Sequence, residues 1–145
     1  MEEREITLAL KTFLSKREWT IVSVHFPGAQ GGLSISTYGK TRGWVPDLVA
    51  VKHGILLTVE SKPRYFPKDV DKLNALYDDE KVILKLKSKL NLGSKIFCQK
   101  SIAYYSPTQN KTKIPTGFVV FIADNEKNFS FFCDDSVPES VKDLI

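Results

Sequence analysis

The chain has 145 residues, 42% of them hydrophobic and 26% charged, which is the composition of one globular domain (residues 1–145) able to bury a core. This excludes a disordered tail or a multidomain machine, and the longest apolar run, Phe118 to Ala123, is far below the ~20 residues of a bilayer span. Twenty-one Lys and Arg against seventeen Asp and Glu leave a net charge of +4, a mild basic excess that suits a polyanionic partner without demanding one.

Met1-Glu2-Glu3-Arg4 is not a basic segment followed by an apolar one, so a cytoplasmic protein without secretion signal or membrane association is expected. Ile6, Ala9, Leu10, Phe13 and Leu14 then recur at helical spacing and predict an amphipathic helix over 3–17. Trp19 to Phe26 is rich in β-branched and aromatic residues and predicts a strand that stops at Pro27-Gly28. From Pro27 to Gly43 the glycine content predicts a loop with a basic end at Lys40 and Arg42, within which 33–38 could form a short hairpin arm. Two strands follow, 47–52 and 55–60, joined by His53-Gly54, a two-residue connection that signals a tight hairpin. Helices are expected over 69–77 and 81–90, the second chosen over an alternating strand on length and lack of aromatics. Strands are expected at 95–105, 117–123 and 129–133, and Ser136 with Glu139 three positions on predicts a capping box that starts a short last helix. There is no internal repeat.

Cys98 and Cys133 lie 35 positions apart with no neighbouring Cys or His, a pattern of core thiols and not of a zinc site or a disulfide scaffold. His25 and His53 are the only histidines, and a turn position explains the second without any function. Hydrolytic chemistry therefore falls to carboxylates and lysine.

The hairpin supplies them. Pairing across His53-Gly54 sets Lys52 opposite Ile55, and the same register carried outward brings Asp47 opposite Glu60, with Cβ atoms roughly 5 Å apart. Alternation along a strand puts Glu60 and Lys62 on one face and Ser61 on the other. Two carboxylates that close repel unless a cation sits between them, and hard oxygen ligands suit Mg²⁺, which accepts one or two carboxylates and keeps several waters. The bland alternative is a strand start at Asp47 and a solvated Glu60–Lys62 pair.

Pro46-Asp47, twelve intervening residues and then Glu60-Ser61-Lys62 resemble the active-site signature of the PD-(D/E)XK nuclease superfamily. The resemblance extends over about Glu3 to Tyr77. Glu3-Arg4 and the run from Pro46 to Gly54 look like archaeal Holliday junction resolvases, whereas Glu60-Ser61-Lys62 with Lys68 to Leu73 also looks like many type II restriction endonucleases. The resemblance implies an α/β fold with a restriction endonuclease-like core, a mixed central sheet flanked by helices. It implies that Asp47 and Glu60 bind Mg²⁺, for which Mn²⁺ substitutes, that the Ser61 carbonyl adds a ligand, and that Lys62 serves catalysis. Many members add a glutamate from the first helix, and Glu3 matches, three, seven and eleven residues before Ile6, Leu10 and Leu14.

The function expected is a metal-dependent DNA endonuclease, restriction-type or junction-resolving, acting on duplex or branched DNA. One such site cuts one strand, so a homodimer or a partner nuclease subunit is expected. Lys40, Arg42, Arg64, Lys85 and Lys89 are the candidate DNA contacts, weighed against the plain reading of charge runs as solvated faces. Tyr38 and Trp44 either stack on bases or pack in the core. From another class, the competing reading is a catalytically silent nuclease-fold module that binds DNA; an RNA-directed nuclease is a third.

Overall fold

The computed structural model describes residues 1–26, 33–37, 43–110 and 113–145. Their elements are α1 (Glu3–Lys16), β1 (Thr20–Val24), β2 (Leu48–Lys52), β3 (Ile55–Lys62), α2 (Pro67–Asp78), α3 (Glu80–Lys89), β4 (Phe97–Tyr105), β5 (Val119–Ala123), β6 (Phe129–Phe132) and α4 (Glu139–Lys142). Lys40, Arg42, Tyr38 and most of the glycine-rich stretch lie outside the described residues. None of the described helices is long and apolar enough to cross a membrane.

The fold is mixed α/β. Six strands form one sheet in chain order, β1 to β6. The β1–β2, β2–β3 and β5–β6 pairs are antiparallel, while β3, β4 and β5 run parallel, which the α2–α3 crossover makes possible between β3 and β4. The hairpin forms as its turn residues dictate: His53 and Gly54 both have positive φ (47° and 78°), and Lys52 pairs with Ile55, Leu48 with Val59.

Helices flank the sheet on both sides because its strands are apolar on both faces. Ile6, Leu10 and Leu14 of α1 and Val141 of α4 pack with Leu48, Ala50, Leu57, Val59 and Phe121 on one side. Leu73 of α2 and Val82 and Leu86 of α3 pack with Val49, Leu56, Ile102, Val120 and Ile122 on the other. Each fully buried aliphatic side chain of α1 contributes about 1.5–3 kcal/mol relative to an exposed one. The alternation along β3 therefore has two destinations: Leu57 and Val59 face α1, whereas Leu56, Thr58, Glu60 and Lys62 face the α2 side.

Most element ends fall within one to two residues of the sequence expectation, and two departures have a plain physical reason. β3 continues past Glu60 to Lys62 because its parallel partner carries it, with Ser61 opposite Ala103 and Lys62 opposite Tyr104. The last helix has no capping box. Asp134 takes the Ser136 amide at 3.1 Å and the Ser136 hydroxyl as well, so the serine is satisfied before the helix begins and Pro138 stands at the N-cap.

Candidate active site

Asp47 precedes β2 by one residue, and two backbone contacts fix it there. Its carbonyl accepts from His25 N at 2.9 Å, which prolongs the β1–β2 pairing, and its carboxyl Oδ2 accepts from Ser61 N at 2.8 Å. The second bond ties Asp47 to the Glu60-Ser61-Lys62 stretch itself, just beyond Leu48 and Val59, the last pair of the hairpin register. Asp47 and Glu60 are both deeply buried, 7% and 3% exposed. Burial, followed by the neighbouring charge and hydrogen bond of Glu60, pushes the Asp47 pKa up to about 9, against the lowering effect of the Ser61 amide.

Glu60 is held from two further directions. Its Oε1 accepts the Trp44 indole N–H at 2.8 Å and lies 2.9 Å from Lys72 Nζ of α2. Trp44 reaches it because the segment before β2 folds back: Ile35 and Trp44 exchange backbone hydrogen bonds of 2.8 and 2.7 Å. That closeness demands Gly43, where a Cβ would stand 2.7 Å from the Ile35 carbonyl oxygen. Trp44 is buried at 4% exposure and stands edge-on to Tyr77, so of its two expected uses it serves the core and Glu60, not base stacking.

Lys62 lies at the sheet end between α1 and α2. Its ammonium is 3.7 Å from Glu3 and 3.8 Å from Asp69. Burial disfavours its charge, but Asp69, Glu3, Asp47 and Glu60 outweigh that effect and raise its pKa. Asp69 is itself buried, and burial raises its pKa while Lys62 opposes the shift. The structure thus brings together Glu3, Asp47, Glu60 and Lys62, and adds Asp69, Lys72 and Trp44, which sequence reasoning did not assign to the site. The one available signal for Asp69 and Lys72 was their i, i+3 spacing on the helix after the Glu-Ser-Lys stretch.

The remaining candidates stand further out. Arg64 is exposed and borders the cleft lined by Glu60, Lys62, Phe66 and Asp69. Lys85 donates to the Ser36 carbonyl at 3.3 Å and Lys89 to the Ser34 carbonyl at 2.6 Å, so both fasten the 33–37 segment to α3. His53 occupies the hairpin turn. Cys98 and Cys133 are free thiols, half-buried, and burial pushes Cys98 up to about 11.

Among the described residues no three His, Cys, Asp or Glu side chains converge tightly enough to enclose a metal ion. Two adjoining buried carboxylates nevertheless fit a hard divalent cation that takes one or two protein carboxylates and fills its sphere with water. Asp47 and Glu60 would hold it, with the Ser61 carbonyl as the backbone ligand that the resemblance implies. Compared with known proteins, the chain matches no protein family, no curated protein and no solved structure.

Proposed function

We propose that this protein is a Mg²⁺-dependent endodeoxyribonuclease with a restriction endonuclease-like core, of the site-specific restriction or junction-resolving kind. The observation that carries the reading is the joining of Asp47 and Glu60 through the 2.8 Å bond from Ser61 N to Asp47, with Lys62 on the same strand and Glu3 beside it. Four acids and two lysines gathered at a sheet end are more than a solvated ion pair needs. Asp47 and Glu60 are buried, and a fold that gains nothing from that arrangement would replace them with apolar residues at no loss.

Bound between Asp47 and Glu60, a divalent cation supplies positive charge against the phosphate and makes water more acidic. The chain's own residues do the rest. Lys62 presents an ammonium at the mouth of the site, where it holds a phosphate oxygen and the attacking water in line. Water oxygen then bonds to phosphorus as the bond to the leaving sugar oxygen breaks, and the proton lost by water balances the one the leaving oxygen gains. Glu3 keeps Lys62 oriented. Asp47→Ala removes one of the two carboxylates, together with the acceptor of the Ser61 amide.

Incubation with supercoiled plasmid in Mg²⁺, Mn²⁺ and EDTA tests the reading. Metal-dependent nicking or linearisation that Asp47→Ala loses supports it. Cutting that persists in EDTA or in the variant, or no cutting of plasmid, linear duplex and four-way junction alike, overturns it. Preference for the junction over linear duplex separates resolution from restriction.

A further inference from the structure

The two lysines at the site serve different carboxylates. Lys62 lies between Glu3 and Asp69, and Lys72 alone stands against Glu60. Asp69 and Lys72 are three residues apart on α2 and so project from the same side of that helix. Neither belongs to the Asp47, Glu60, Lys62 set.

The exposures of the Lys72 pair are unequal. The Glu60 side chain is 4% exposed and the Lys72 side chain 46%. A long flexible stem therefore reaches inward from solvent and sets its ammonium 2.9 Å from a buried carboxylate oxygen. That same oxygen, Oε1, also accepts the Trp44 indole N–H, so its hydrogen-bonding capacity is taken by one fixed donor and one movable one. The fixed donor is neutral. The movable donor is the only cation within ion-pair distance of Asp47 or Glu60 among the described residues.

We propose that Lys72 is a built-in counter-cation that competes with the divalent metal for Glu60 and, once displaced, contacts a DNA phosphate. The inference rests on the nuclease reading and concerns the loading of that same site. Without metal, Lys72 supplies the counter-charge 2.9 Å from the buried Glu60 carboxylate. A divalent ion drawn to Asp47 and Glu60 repels the ammonium and removes its reason to point inward. The half-exposed stem then swings toward solvent, where a polyanion at the mouth of the site is the natural partner for the released charge. Metal loading and backbone binding become coupled: each favours the other by taking one side of the Lys72–Glu60 pair.

The test is direct binding of Mn²⁺ by calorimetry to the full chain at low salt, comparing wild type with Lys72→Met, Lys72→Arg and Asp47→Ala. Lys72→Met keeps the stem and removes the charge at a half-exposed position. The expected result is Mn²⁺ binding about three- to tenfold tighter in Lys72→Met, the size of a part-exposed ion pair. Lys72→Arg restores affinity to the wild-type level or below. Duplex binding with Ca²⁺ in place of Mg²⁺ weakens in Lys72→Met, and its salt dependence loses about one phosphate contact. Asp47-dependent Mn²⁺ binding that is unchanged or weaker in Lys72→Met overturns the proposal and leaves the nuclease reading standing. An unchanged salt dependence overturns the phosphate contact. Mn²⁺ binding that is absent, or indifferent to Asp47→Ala, overturns both.

Discussion

The Trp44 indole N–H donates to Glu60 Oε1 across 2.8 Å, and both side chains are nearly closed to solvent. An indole is a donor without acceptor capacity, so this bond orients a carboxylate without a counter-charge. Trp44→Phe keeps an aromatic in the core and leaves Oε1 to Lys72 alone. The expected cost is about 1.5–3 kcal/mol of stability, the range for one hydrogen bond to a charged group, read as a fall in the urea midpoint at unchanged slope. On the proposed nuclease function, cleavage falls with it because Glu60 is no longer fixed. A variant as stable and active as wild type would show that the bond has no orienting role.

Gly43→Ala reaches the same carboxylate indirectly. The new Cβ would lie 2.6 Å from Ser34 Oγ and 2.7 Å from Ile35 O, backbone that the Ile35–Trp44 bridge holds in place. The bridge must open or shift, and Trp44 moves with it. Expected are a red-shifted tryptophan emission and a loss of stability of about 1–3 kcal/mol, in contrast to the exposed Gly93→Ala, where a Cβ meets nothing within 4 Å.

Asp47 makes stability depend on pH. Its folded pKa is raised from 3.8 to about 9, by burial first and by Glu60 second. The native state therefore keeps a proton that the unfolded chain releases, and stability falls as pH rises from about 4 to about 9. Asp47→Asn cannot ionise, while its side chain still offers an oxygen to Ser61 N and an N–H to Glu60. Without metal, at pH 8, the variant is expected to be more stable than wild type by about 1–3 kcal/mol, and the gap closes towards pH 4. Thermal melts in EDTA across that range decide it; a gap that is constant or widens on acidification contradicts the assignment.

Asp47, Glu60 and Lys62 were legible because one hairpin holds them: a two-residue turn sets the register, and alternation along the strand does the rest. Glu3 was legible from its phase on α1, since helical spacing alone puts it on the face of Ile6 and Leu10. Asp69 and Lys72 were not, for their i, i+3 spacing shows that they share a side of α2 but not that this side turns back onto the end of β3, where Asp69 meets Lys62 and Lys72 meets Glu60. The end of β3 was misplaced because its parallel partner β4, a distant segment, carries the pairing on to Lys62. Trp44 was ambiguous because an indole next to a glycine-rich stretch has the same sequence signature whether it is buried or offered to a base. Ser136 misled because the capping pattern ignores a better acceptor two residues upstream, Asp134.

Asp69 and Glu3 share one duty, the holding of Lys62, from two different helices. Each is exchanged for its amide without changing shape. Asp69→Asn and Glu3→Gln are expected to lower the maximal cleavage rate about 10- to 100-fold, the usual effect of a group that orients a site residue, with substrate affinity nearly constant. The double variant frees Lys62 on both sides and is expected to cost less than the product of the single effects, since both act through one ammonium. Fully multiplicative losses in single-turnover cleavage would mean separate roles.

Arg64 and the α3 lysines are separable by what each ammonium or guanidinium already holds. Arg64 is exposed at the border of the Glu60, Lys62 and Asp69 cleft. Lys85 and Lys89 donate to the Ser36 and Ser34 carbonyls, and a lysine engaged with a carbonyl must break that bond before it can meet a phosphate. Arg64→Ala is therefore expected to weaken duplex binding in Ca²⁺ and to lower the slope of log affinity against log salt by about one. Lys85→Ala with Lys89→Ala leaves the slope nearly unchanged and instead loosens the 33–37 segment, read as faster amide exchange at Ile35 and Trp44. If the double variant lowers the slope by about two, the lysines exchange carbonyl for phosphate when DNA arrives, and the DNA contacts of the proposed nuclease extend to α3.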